Sequence, residues 1–101
     1  MSRTLWDPVD PSSLGSLERR LHAKVNGEIY RFARPATLAR FRRNTARWCG
    51  ILRDPVSGAR FVPTLRSPRW DHGDSPYFFT GDSTRRVFMA SPERWAIRRD
   101  Y

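Results

Sequence analysis

The sequence predicts an α+β fold made of two tandem strand–hairpin–helix repeats with pseudo-twofold symmetry, sharing one core. Three observations predict it. The chain matches itself at an offset of 47 residues. Each copy carries two short extended segments around a turn. Each copy then carries a helical segment that closes on a tryptophan.

The self-match needs no gap. Residues 5–48 laid on 52–95 give eleven identities in 44 positions, where this Arg-rich composition would give about three by chance. Asp7-Pro8-Val9 falls on Asp54-Pro55-Val56, Tyr30 on Tyr77, Phe32 on Phe79, Thr37 on Thr84, Phe41 on Phe88 and Arg47-Trp48 on Arg94-Trp95; Leu5/Leu52 and Arg19/Arg66 complete the set. Half-length units would bury too little apolar surface to stand alone. One compact domain is therefore expected over residues 1–101, with repeat 1 at 5–48, repeat 2 at 52–95 and a basic C-terminal tail at 96–101. Two such units can pair as a homodimer does.

Each repeat opens on Asp-Pro-Val, where Pro fixes φ and Asp can bond the following backbone. In the first copy Leu14, Leu17 and Leu21 then follow at helical spacing, which allows a short helix. The second copy has Pro63 and Pro68 there, which argue for extended or irregular chain. Asn26-Gly27 between Ala23-Lys24-Val25 and Glu28–Phe32 predicts a tight hairpin. Asp71–Ser75 between Arg69-Trp70 and Pro76–Phe79 is its counterpart. Tyr30 and Phe32, two apart, share a strand face. Pro35 suits a first helical turn, and Leu38, Phe41, Thr45 and Trp48 form one stripe. In the second copy Asp82 or Ser83 is expected to cap a helix bearing Val87 and Phe88, and Ser91-Pro92-Glu93 reads as a fresh cap leading to Trp95. Tyr30, Phe32, Phe41 and Trp48 should be buried with Tyr77, Phe79, Phe88 and Trp95.

Composition narrows the function. No apolar run approaches a membrane span, and the N-terminus has no apolar stretch of signal-peptide length, so the protein reads as cytoplasmic. A single cysteine, Cys49, excludes an internal disulfide framework. The net charge of +9 attracts polyanions and acidic proteins. Eighteen of the nineteen basic residues are arginine. That ratio fits a GC-rich genome, and it also fits a surface binding phosphates or carboxylates. Candidate ligands Cys49, His22 and His72 match no zinc spacing. Cys49 reads as a buried structural thiol at a helix end with Gly50 at C′, and the histidines as surface or hairpin-end residues. The carboxylates are scattered, no Gly-rich phosphate loop is present, and no catalytic constellation emerges.

Asp54-Pro55-Val56-Ser57-Gly58, Tyr77-Phe78-Phe79, Phe88 and Ser91-Pro92-Glu93-Arg94-Trp95 together resemble the YHS domain, a small α+β module related to the TRASH-type metal-binding domains. Asn26-Gly27-Glu28-Ile29-Tyr30-Arg31-Phe32-Ala33, Phe41 and Arg47-Trp48 carry the resemblance in the first copy. In metal-binding members three cysteines would stand at the positions of Ser57, Thr80 and Thr84, or of Asp10, Ala33 and Thr37. Hydroxyls do not replace the thiolates that hold copper(I) or zinc. The resemblance therefore implies a tandem, degenerate member without metal or cofactor. It would be of the kind that serves as an interaction or accessory domain, including within bacterial multicomponent oxygenases.

The arginines concentrate in Arg31–Arg47 and in the tail. On a helix from Pro35, Arg40, Arg43 and Arg47 fall on one solvent face with few acids nearby. Arg42 and the tail residues Arg98 and Arg99 are expected at the rim. Trp48 and Trp95, at equivalent positions, read as core. Trp6 and Trp70 are the candidate surface anchors, since Trp is enriched at binding hot spots. These features predict a non-enzymatic accessory, assembly or regulatory protein, a monomer or weak dimer, that binds an acidic protein partner. Nucleic-acid binding is the alternative, and copper or zinc trafficking a second one.

Overall fold

Asn-Gly sets the first hairpin. Asn26 and Gly27 both adopt positive φ, 50° and 77°, as a two-residue type I′ turn requires. They join β1 (His22–Val25) to β2 (Glu28–Arg31) with Val25 opposite Glu28. The computed structural model describes residues 5–96, and the fold is α+β.

After β2 come α1 (Pro35–Arg43) and α2 (Thr45–Trp48). β3 (Leu52–Arg53) pairs with β4 (Arg60–Phe61), and β5 (Arg69–His72) pairs with β6 (Ser75–Phe78). The described chain closes on α3 (Asp82–Ala90) and α4 (Pro92–Trp95). All three strand pairs are antiparallel and form separate two-stranded sheets. β5, β6, α3 and α4 each start 47 residues after β1, β2, α1 and α2 and have the same lengths.

Several local expectations change. The helix expected from Pro35 through Trp48 breaks at Asn44, whose backbone leaves the helical region (φ −150°, ψ 63°). Its amide bonds the Phe41 carbonyl at 3.2 Å and ends α1. Ser91 breaks the second helix in the same way (φ −149°, ψ 67°); there Pro92 has no N–H to continue the ladder. Neither Asp82 nor Ser83 is a side-chain cap. Gly81 occupies the N-cap, and the Asp82 carboxylate reaches forward to Arg85 and Arg86 at 2.6 and 2.7 Å. The Leu14–Leu21 stretch forms only a 3-10 turn at Arg19–Leu21. Leu21 is buried, but Leu14 and Leu17 are exposed, so no apolar stripe holds a longer helix there.

Strand alternation builds the core. Tyr30 and Phe32 point from one face of the first hairpin onto Phe41, with ring centroids 5.2 and 4.9 Å away. Tyr77 and Phe79 meet Phe88 at 4.7 and 5.3 Å. These are two clusters, not the single shared core expected. The larger gathers Leu21, Val25, Tyr30, Phe32, Leu38, Phe41, Ala46, Cys49, Leu52 and Phe78. The smaller has Tyr77, Phe79 and Phe88 at its centre, with Val56, Trp70 and Trp95 packed against it. The reason lies in β6, which is buried on both faces. Tyr77 turns to its own helix, while Phe78, one residue on, points the opposite way into the first cluster. Trp48 and Trp95 are only partly buried, because each packs at the edge of its cluster.

The two hairpins meet at Asn26. Its amide donates to the Pro76 carbonyl at 3.2 Å. Its side-chain NH2 donates to the carbonyls of Phe78 and Arg53, both at 2.9 Å, and its Oδ1 accepts from the Phe78 amide at 2.7 Å. The turn residue thus extends the edge of β6 with its own side chain.

Candidate functional site

The positions where the resembled family would place thiolates do converge, but on a carboxylate. Asp54 is fully buried. Its Oδ1 accepts from the amides of Val56 at 2.8 Å and Ser57 at 3.1 Å. Its Oδ2 accepts from the Thr80 amide and hydroxyl, both at 3.0 Å, and from the Thr84 hydroxyl at 2.7 Å. Asp7, equally buried, repeats the pattern. Oδ1 takes the amides of Val9 and Asp10 at 2.8 and 3.0 Å, and Oδ2 takes the Ala33 amide at 2.9 Å and the Thr37 hydroxyl at 2.5 Å. Burial pushes the Asp54 carboxyl up, but the donations from Thr80, Thr84, Val56 and Ser57 outweigh it, so its pKa lies below the usual 3.8. Each Asp ties the start of its half to the strand–helix junction. Reading Asp-Pro-Val as a local turn missed this reach across 26 to 30 residues. The signal available was the pairing of Asp7 with Thr37 and of Asp54 with Thr84 at one repeat offset.

The other titratable candidates separate. His22 is buried, not at the surface, with Nε2 2.7 Å from the Ser16 carbonyl oxygen. His72 is half-buried, stacks on Trp70 at 5.9 Å and meets the Phe88 ring edge-on. Cys49 is buried, and its thiol donates to the Thr45 carbonyl at 3.1 Å. Gly50 follows it with φ 69°. Among the described residues no three His, Cys, Asp or Glu side chains come together in a way that could hold a metal ion. No helix among them is long and apolar enough to cross a membrane.

The basic stretch divides into three parts. Arg34 pairs with Asp10 at 2.8 Å. The hydroxyl of Ser12 first, then Arg34 and Ser13, hold the Asp10 carboxyl well below the usual range. Arg31 lies along β2, its Nε and Nη1 buried. Arg40, Arg42, Arg43 and Arg47 remain exposed and make no ion pair among the described residues. The helix expected to carry Arg40, Arg43 and Arg47 breaks at Asn44, between Arg43 and Arg47. Arg40 and Arg47 bring their guanidinium carbons over the Trp48 ring, 5.8 and 4.8 Å from its centroid. Arg42 and Arg43 turn instead to a groove of about 170 Å³ at the junction with the second half, lined also by Asn44, Thr64, Leu65, Ser67 and Arg69. Arg98 and Arg99 lie outside the described residues.

Trp70 is half-buried, edge-on to Phe88 at 5.8 Å, and packs against the second cluster. Trp6 is 49% exposed, and its backbone bridges to that of Leu14. Trp48, expected in the core, is the ring that lies under two guanidiniums. Arg94 repeats this over Trp95 at 5.0 Å. Both rings are partly buried at the edge of a cluster, with an arginine next to each in the sequence.

Comparison with protein-family models, curated protein sequences and solved structures finds no match to this chain.

Proposed function

We propose that this chain is a small non-enzymatic binding protein, an accessory, assembly or regulatory partner of a larger protein, which it docks through an acidic surface of that partner. The observation that carries this reading is the Arg40–Trp48–Arg47 stack. Two guanidiniums with no ion pair among the described residues lie over one indole ring, and the ring attracts both. A held guanidinium loses less freedom on binding a carboxylate, and its fork binds that group bidentately. Arg and Trp are also the residues that dominate interface energetics.

The scaffold reading that goes with it is a duplicated, degenerate YHS-like unit. The constant 47-residue spacing of the elements and the matching Asp–Thr networks support duplication. The hydroxyls of Thr80, Thr84 and Thr37, already bonded to the carboxylates of Asp54 and Asp7, support an accessory role over metal trafficking. A multicomponent metalloenzyme such as an oxygenase fits as the larger protein by that resemblance.

The test is a charge-reversed Arg40→Glu/Arg47→Glu variant. Both positions are exposed, so its stability should stay within about 0.5 kcal/mol of the parent. It should lose an acidic protein that the parent retains in a pulldown from the native host. Nucleic-acid binding is the outcome that replaces this reading. Submicromolar affinity for random duplex or single strands at physiological salt, falling linearly in log salt and abolished by the variant, would establish it. Elemental analysis of the purified protein should find no stoichiometric copper, zinc or iron.

A further inference from the structure

The groove at the junction of the halves uses different residues from the Arg40–Trp48–Arg47 stack and has its own chemistry. One wall is the end of α1 and the start of α2, with Arg42, Arg43, Asn44 and Thr45. The other is the Thr64–Arg69 loop with Phe78 behind it. Three guanidiniums line it and no carboxylate does. Arg42 and Arg43 have no acidic partner among the described residues. Arg69 gives its Nε and Nη2 to Asp71 at 2.8 and 3.3 Å, which leaves Nη1. A neighbouring groove shares Arg42, Thr45 and Arg69 but adds Asp71 and Asp74. An anion is therefore confined to the Thr64 side.

The hydroxyls are set as donors. Ser67 Oγ accepts from the Thr64 amide at 2.9 Å, and Thr64 Oγ1 accepts from the Arg66 amide at 3.1 Å. Each acceptance leaves the hydroxyl proton free to point outward. A ligand that accepts hydrogen bonds from several guanidiniums and hydroxyls at once is the phosphoryl group of a phosphomonoester, which is largely a dianion with three terminal oxygens at neutral pH because its second pKa is about 6. A carboxylate offers two oxygens and a single charge. The volume of about 170 Å³ falls below the roughly 300–1,000 Å³ of sites that enclose a whole small molecule, so a single group enters and the rest of the ligand stays outside. Leu65, 86% exposed, lines the groove where an ester's organic part would lie.

We propose that this groove binds the phosphoryl group of a phosphomonoester, carried either by a small metabolite or by a phosphorylated side chain. The test is a nuclear magnetic resonance titration of the full chain with inorganic phosphate, O-phosphoserine, a phosphoserine peptide, glycerol 3-phosphate and acetate at constant ionic strength. Saturable shifts confined to residues 42–46 and 64–69 are expected with O-phosphoserine and phosphate, and weaker ones with acetate, which brings two oxygens and one charge. Arg42→Ala/Arg43→Ala should weaken phosphate binding by about tenfold or more, since a charge-assisted bond is lost at each position. Arg40→Ala/Arg47→Ala should leave it unchanged, so failure here is separable from failure of the acidic-partner reading. A phosphoserine peptide binding more tightly than glycerol 3-phosphate identifies a phosphorylated side chain as the source, and the reverse order identifies a small metabolite. No saturable shift, acetate binding as tight as that of phosphate, or equal loss in both double variants would overturn the proposal.

Discussion

In the first half α1 buries Thr37, Leu38 and Phe41; in the second α3 buries only Phe88 and leaves Val87 and Met89 exposed. The helices and the two four-residue hairpins match in order, length and spacing, yet the positions between the shared residues differ. At a constant offset, buried Leu38 stands opposite Arg85, buried Val25 opposite half-buried His72, and Asn26 opposite Gly73. The first half has neighbours on two sides, its own helices and the Phe78 face of β6, so its apolar positions are held. The second half meets the first through the Phe78 face of β6, and its own cluster has only Val56, Trp70, Trp95 and Ala96 around Tyr77, Phe79 and Phe88. What both halves share is a small set: a carboxylate with its threonine, two aromatics on a strand, one helix Phe, and Arg before Trp.

The comparison can be broken most strongly at the helix phenylalanines. Phe41→Ala should cost about 4–5 kcal/mol and Phe88→Ala about 3, since the second cluster is smaller and can collapse onto the gap. Urea denaturation of each variant measures this, and equal costs would mean that the halves share one core after all. The one-sided clamp comes next. Asn26→Gly keeps the positive φ but leaves the Phe78 amide and two carbonyls unpaired, which should cost about 2–3 kcal/mol. Gly73→Asn, the reciprocal change, should alter stability by under about 1 kcal/mol, because nothing faces that turn as β6 faces Asn26. A smaller effect is expected in acid. The folded pKa of Asp54 is depressed, so its contribution is present above the unfolded value near 3.8 and is lost as pH falls through the folded one. Asp54→Asn should therefore flatten the loss of stability below about pH 4 while lowering stability at pH 7, as urea midpoints at a series of pH values would record. Asp10 and Asp82, also depressed, should leave the variant a residual slope. The smallest change is Val87→Gln, which should stay within about 0.5 kcal/mol. A large loss there would reveal a covered face on α3.

Much of the hairpin and helix pattern was legible because it is local chemistry. Asn-Gly admits positive φ, alternation pairs Tyr30 with Phe32, and Ser91-Pro92 restarts a helix. The break at Asn44 was not legible, since no proline marks it and the apolar stripe runs through it. That break falls within the candidate site. Arg40 and Arg47 lie over Trp48, and Arg42 and Arg43 line the groove, where helical spacing alone had grouped Arg40, Arg43 and Arg47.

The sequence by itself determined the α+β class, the hairpins, and the regular spacing of the two halves, because turn residues and strand or helix periods act over a few neighbours. It also determined the positive charge. Only the tertiary structure decided how the halves meet. Asn26 and Phe78 are 52 residues apart, and whether Phe78 turns to its own helix or to the other half depends on what lies across β6, which no local pattern encodes. The same holds for the two aspartates: Asp-Pro reads as a turn in any chain, and only the packed fold brings a threonine hydroxyl 30 residues away within reach of the carboxylate.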